Sequence, residues 1–138
     1  MLKSLIQTDR DWSSLLIRLV LGMVMFPHGA QHALGWFGGY GFAGTYGWMT
    51  HTLGIPGFFA ALAIATELIA PLMMIAGIAT RAAGLGIFML LLVAAKTHWE
   101  NGFFMNWFGA MPAGAEGFEY HILGMTLALA LVIKGAGR

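Results

Sequence analysis

Four stretches of this chain are too apolar and too long to be ordinary surface helices, and they decide what it can fold into. They run over residues 12–34, 55–79, 81–99 and 118–133. A bilayer span needs about 20 residues at 1.5 Å of rise each. The first two stretches exceed that length, and the third reaches it if Lys96 and Trp99 sit at the membrane boundary. The fourth is the shortest: its apolar core, 122–133, meets the requirement only if Glu119, Tyr120 and His121 form an outer turn against protein or headgroups. Apolar residue types make up 59% of the chain and charged types 9%, against about 25% charged in soluble proteins. So few charges cannot cover the surface of a small soluble domain, whereas lipid as solvent removes the conflict. The sequence therefore predicts an all-α, integral membrane four-helix bundle forming a single domain over residues 1–138.

Lysine and arginine orient the bundle. Lys3 and Arg10 precede the first stretch, Arg81 lies between the second and third, and Lys134 and Arg138 follow the fourth. The connections 35–54 and 101–117 contain neither residue. Both termini are thus expected in the cytoplasm, with the two glycine- and aromatic-rich loops outside. Those aromatics form an interfacial belt or a re-entrant cap over an apolar pocket. The N-terminal region lacks an Ala-x-Ala ending and is interrupted by Arg18, so no cleavable signal is expected.

The balance of charge is close to neutral, +1, and no basic run points to nucleic acid. Cysteine is absent, which excludes disulfides, thiolate metal sites, iron–sulfur clusters and a dithiol relay through this chain. A redox role would need a bound carrier, a metal held by nitrogen, oxygen or thioether ligands, or a partner subunit.

Ionisable groups inside a span cost at least about 2.5–3.5 kcal/mol near its centre, so Arg18 and Glu67 demand explanation. At 100° per residue, Arg18, Gly22, Met25, Gly29 and His32 share one stripe of the first helix, and Ala60, Ala63, Glu67 and Pro71 share one of the second. The rise arithmetic places Arg18 roughly 8 Å and Glu67 roughly 16 Å from the cytoplasmic side. An Arg18–Glu67 ion pair between the two stripes is expected. Pro27 and Pro71, inside their spans, are each expected to kink a helix. Gly117, His121, Gly124 and Ala128 form a close-packing face on the fourth helix.

A second polar layer collects towards the outer face: His28, Lys96 and His121, then His98 and Glu119, with His32 and Glu100 at the boundary. Lys96 and His98 diverge by about 160°, as do Glu119 and His121, so only some of them converge. Three readings compete. The layer anchors the bundle at the interface, handles protons for a quinone-type headgroup, or ligates haem or another metal through His28 and His32 at i and i+4.

The sequence resembles the DoxX family of small bacterial membrane proteins. The resemblance is carried by Arg18-Leu-Val-Leu-Gly22, Phe26-Pro-His28-Gly29-Ala-Gln-His32, Glu67, Gly77-Ile-Ala-Thr80-Arg81, Ala95-Lys96-Thr-His98-Trp, Gly102-Phe-Phe-Met-Asn106, Gly117-Phe-Glu119-Tyr and Gly135-Ala-Gly137-Arg138. The family pattern places lysine where this chain has His32, exchanging a permanent charge for a group that titrates near neutrality. The resemblance implies a cytoplasmic-membrane bundle acting as a subunit of a quinone-linked oxidoreductase or of a redox-stress complex. It also implies a redox partner subunit or a homo-oligomer in surrounding lipid. A non-catalytic scaffold or a small transporter is the alternative from another class. The residues expected to bind or exchange protons are Arg18, His28, His32, Glu67, Lys96, His98, Glu119 and His121.

Overall fold

The computed structural model describes residue 3, residues 10–110, residue 112 and residues 115–137. Among them are five α-helices: α1 (Trp12–Leu34), α2 (Gly41–Gly47), α3 (Gly57–Ala76), α4 (Thr80–Thr97) and α5 (Glu119–Lys134). Three of these, α1, α3 and α4, are long and apolar enough to cross a membrane. The last, α5, has 16 residues, about 24 Å of helix, which falls short of a full span by itself.

Local chemistry sets the helix ends. Asp11 caps α1 by accepting the Ser13 N–H at 2.9 Å, the side-chain cap that such N-termini favour. Gly35 and Gly77 end α1 and α3 in the left-handed region, at φ 74° in both cases, where only glycine sits without penalty. The link from α3 to α4 is consequently very short, and α4 packs antiparallel to α3.

The four longer helices alternate in direction. Arg18 near the start of α1 reaches Met74 near the end of α3; Gly84 near the start of α4 abuts Ala128 and Val132 near the end of α5. The tightest pairings are α1 with α3 and α4 with α5. The core between them is lined by Leu21, Met25, Met74, Ile87, Leu91 and Leu131. Facing away from it, Leu16, Met23, Leu62, Ile69, Leu85 and Leu123 are all exposed. Exposed large apolar side chains on so many faces are the signature of a lipid-facing surface.

Both ends of the described chain meet at one end of the bundle. Lys134 Nζ lies 2.5 Å from Asp11 Oδ2, and Arg18 Nε donates to the Ala136 carbonyl at 2.8 Å. At the opposite end, residues 35–56 fold into a 3-10 turn at Trp36–Gly38, then α2, then a π-helical turn at Trp48–Thr52. Five positive-φ positions, Gly35, Phe37, Gly38, Gly41 and Gly54, bend this segment sharply. Gly39 lies so close to the Gln31 backbone that a Cβ there would collide with it. The second loop closes on itself through main-chain bonds from Gly117 to Phe104, Phe118 to Gly102 and Glu119 to Phe103.

Glycine and proline cooperate where α1 crosses α3. Pro71 has no N–H, so the main-chain carbonyl of Glu67 loses its helical donor. Gly29 packs directly on that carbonyl, and Gly22 packs on the carbonyl of Pro71. Backbones this close are possible only where one side chain is a hydrogen.

Candidate functional site

The predicted stripe on α1 is turned inward: Arg18, Gly22, Met25 and Gly29 are buried, and His32 is half-buried. The partners of its two polar ends, however, differ from the expected ion pair. Arg18, 7% exposed, donates to the carbonyls of Met74 at 2.8 Å, Ile75 at 2.9 Å and Ala136 at 2.8 Å. The Glu67 carboxylate instead lies 2.6 Å from His32 Nδ1. An Arg18–Glu67 pair is therefore replaced by two separate arrangements at different heights in the bundle.

The physical reason lies in the helix ends. The last four carbonyls of a helix have no intrahelical donor and carry the negative end of its dipole. Arg18 satisfies two of these on α3, with its guanidinium lying over Gly77, whose missing side chain leaves room for it. Arg81 does the same for α5, donating to Val132 at 2.6 Å, to Ile133, and to Lys134 at 3.3 Å. Each arginine reaches from the early turns of one helix to close the end of its antiparallel neighbour. Both act as fasteners.

Glu67 is left to the other half of the bundle. It lies near the middle of α3, while His32 lies in the last turn of α1, so the first turns of α3 run beyond the end of α1. There they meet α2, with the Tyr46 hydroxyl resting against Gly57. A half-open cleft of about 470 Å³ forms at this place, lined by His32, Tyr40, Gly44, Thr45 and Trp48. The His32 and Glu67 side chains retain 33% and 15% of their exposure, so the pair is neither sealed off nor freely solvated. Thr45 is 2% exposed, and its hydroxyl has no hydrogen-bond partner among the described residues.

The remaining predicted residues separate into other groups. His28 is exposed, with its ring 6.4 Å from that of Tyr120, and the Tyr120 hydroxyl donates to Met25 Sδ at 3.4 Å. His28 and His32 thus face different helices rather than a shared ligand. Among the described residues, no group of three His, Asp or Glu side chains converges. His98 and His121 stack at 5.1 Å with 27° between their planes. His98 Nδ1 donates to the Glu116 carbonyl at 2.9 Å, which ties the end of α4 to the start of α5. Glu119 accepts the Met105 N–H at 3.0 Å and the indole N–H of Trp107, holding the second loop in place. Lys96 is exposed and His98 half-buried; the angular separation required them to diverge without saying which faces out.

The arrangement places an acid–base pair at the edge of an aromatic cleft. An imidazole and a carboxylate at 2.6 Å share one proton readily, and either partner can exchange it with a third group. Of the cleft residues, Tyr40 and Trp48 belong to the aromatic loop read from the sequence, but Thr45 has no sequence signal at all. Its place between Gly44 and Tyr46 reads as loop, and only the fold buries its hydroxyl.

Comparison with known proteins agrees with this picture at the level of family. No curated protein and no solved structure is similar enough to this chain to count as a match. The DoxX family model matches residues 13–107, a region that holds Arg18, both arms of the His32–Glu67 pair, the cleft segment, Arg81 and the start of the second loop. On that match, covering well over half of the sequence, this protein is a member of the DoxX family.

Proposed function

We propose that the protein is the membrane subunit of a quinone-linked redox complex, exchanging protons with a quinone headgroup at the outer end of the bundle. One observation carries this reading: the His32–Glu67 pair, 2.6 Å apart, borders a half-open cleft walled by Tyr40 and Trp48. Reducing a quinone to a quinol takes two electrons and two protons. The pair supplies and recovers protons beside the cleft. The electrons come from the cofactor of a partner subunit, since a chain without cysteine holds no thiol relay of its own. The aromatic walls give a planar ring a stacking surface.

The same proposal sets the topology. The meeting of Asp11 with Lys134 supports an even number of crossings, with α5 as the fourth span, completed by its flanking residues. Lys3, Arg10, Arg81, Lys134 and Arg138 then hold the arginine-fastened end in the cytoplasm of the inner membrane.

The test is made on membranes and on the gently extracted complex. Glu67→Gln and His32→Asn are each expected to lower quinone-dependent electron transfer about tenfold or more, in the range of lost general acid–base catalysis, while subunit assembly is retained. Organic extraction of the complex is expected to release quinone. An extract free of quinone, together with unchanged quinone reduction in membranes lacking the protein, sinks the proposal and leaves the scaffold or transporter reading.

A further inference from the structure

The cleft holds a second polar group that the His32–Glu67 pair does not use. Thr45 sits on α2, one of the shortest helices in the chain, and its side chain is turned into the interior rather than to the surface. A threonine in a helix ordinarily returns its hydroxyl to a carbonyl three or four residues earlier. Thr50 does this, bonding the Tyr46 carbonyl at 2.9 Å. So do Thr97 and Thr126, at 2.7 and 2.9 Å. Thr45 does not, and no other described residue reaches its Oγ1; Thr80 shares that state, but it is the first residue of α4 and has no helical turn before it to return to. A buried hydroxyl without a partner is unfavourable, and this one lines the same cleft as His32.

We infer that Thr45 is a second hydrogen-bond contact for the ligand of this cleft, and that the ligand is accordingly a ring bearing oxygen at two positions, a 1,4-quinone or its quinol. The inference rests on the quinone reading above and deepens it. The two contacts come from different elements, α1 with α3 on one hand and α2 on the other, so a ligand with a single oxygen satisfies only one of them. A hydroxyl both donates and accepts. It therefore serves the carbonyl oxygen of the oxidised ring and the hydroxyl of the reduced ring alike, which suits a site where the ligand changes redox state in place. Valine in its place keeps the shape and removes the contact.

The full chain in mild detergent is titrated calorimetrically with 2-decyl-1,4-benzoquinone and with 4-decylphenol, which share a tail and differ in ring oxygens. The native protein is expected to bind the quinone at least about tenfold tighter than the phenol. Thr45→Val is expected to weaken quinone binding about tenfold, equal to about 1.4 kcal/mol, and to leave phenol binding within about twofold. Thr45→Ser is expected to restore quinone binding. Ligand-free T45V should unfold at the same temperature as the native protein or higher, because an unsatisfied hydroxyl has been removed. Equal quinone affinity in T45V and the native protein overturns the inference, as does a T45V protein that unfolds earlier and loses both probes alike. If the native protein binds neither probe, the quinone reading itself fails, an outcome distinct from a Thr45 that makes no difference.

Discussion

Gly29 of α1 rests against the main-chain carbonyl of Glu67 on α3, so closely that a Cβ at Gly29 would occupy space already filled by that carbonyl. The contact sets the separation of the two helices at the level of the His32–Glu67 pair. The same close approach leaves the His32 and Glu67 side chains 2.6 Å apart.

Gly29→Ala is therefore expected to push α1 and α3 apart and to destabilise the protein by about 1–3 kcal/mol, the usual cost of overpacking. Gly47→Ala serves as the control, because a Cβ there meets nothing within 4 Å. Unfolding in detergent with a graded denaturant, followed by circular dichroism, measures both. Equal stability of G29A and G47A would show that the helices are not in contact at this point.

The arginine fasteners give a sharper expectation. Arg18→Ala removes a charged donor from the Met74, Ile75 and Ala136 carbonyls, and hydrogen bonds to charged groups contribute about 1.5–3 kcal/mol each. A loss of at least about 2 kcal/mol is expected. Because Arg18 and Glu67 share no partner among the contacts described above, the combination of R18A with E67Q is expected to be additive within about 0.5 kcal/mol. A double-mutant cycle on unfolding free energy decides the matter. Strong coupling between the two would restore the Arg18–Glu67 ion pair that the fold replaces with separate partners.

Acid sensitivity is expected at the Asp11–Lys134 contact. The Lys134 ammonium, chiefly by its hydrogen bond and helped by the Ser13 N–H, holds the Asp11 carboxyl at about 2, against an ordinary value of 3.8. A depressed carboxyl pKa stabilises the fold above the unfolded value, and the contribution is lost as pH falls through the folded one. The loss should thus fall between about pH 4 and pH 2. Asp11→Asn keeps an N-cap side chain and removes the charge, so its stability should show less dependence on pH across that window. Acid titration of both proteins, read by circular dichroism, provides the comparison. Added salt should shrink the difference, since the contact is exposed.

The sequence discloses the helices because apolar runs and glycine ends are local signals. The stretch read as 12–34 is α1 residue for residue, and 81–99 differs from α4 by one residue at its start and two at its end. The facing stripe on α1 was equally legible, since an angular count needs only one helix. What one helix cannot show is which partner meets which stripe, and at what height. Arg18 and Glu67 look like natural partners when depth is counted from one end of each span. The count misses two facts of the fold: helix C-termini offer carbonyls to an arginine, and α3 runs past the end of α1. His98 and His121 come together from different helices for the same non-local reason. Thr45 was invisible because burial of a loop hydroxyl depends wholly on how residues 35–56 fold back.

Pro71 leaves α3 one rung short at Glu67, the half-buried acid of the pair. A rod notched at one point yields there before it yields anywhere else. Below the notch, α3 is tethered by Arg18; above it, the rod leans on α2 through Tyr46 and Gly57. Bending at the notch would change how far Glu67 stands from His32 while the tethered half keeps its shape.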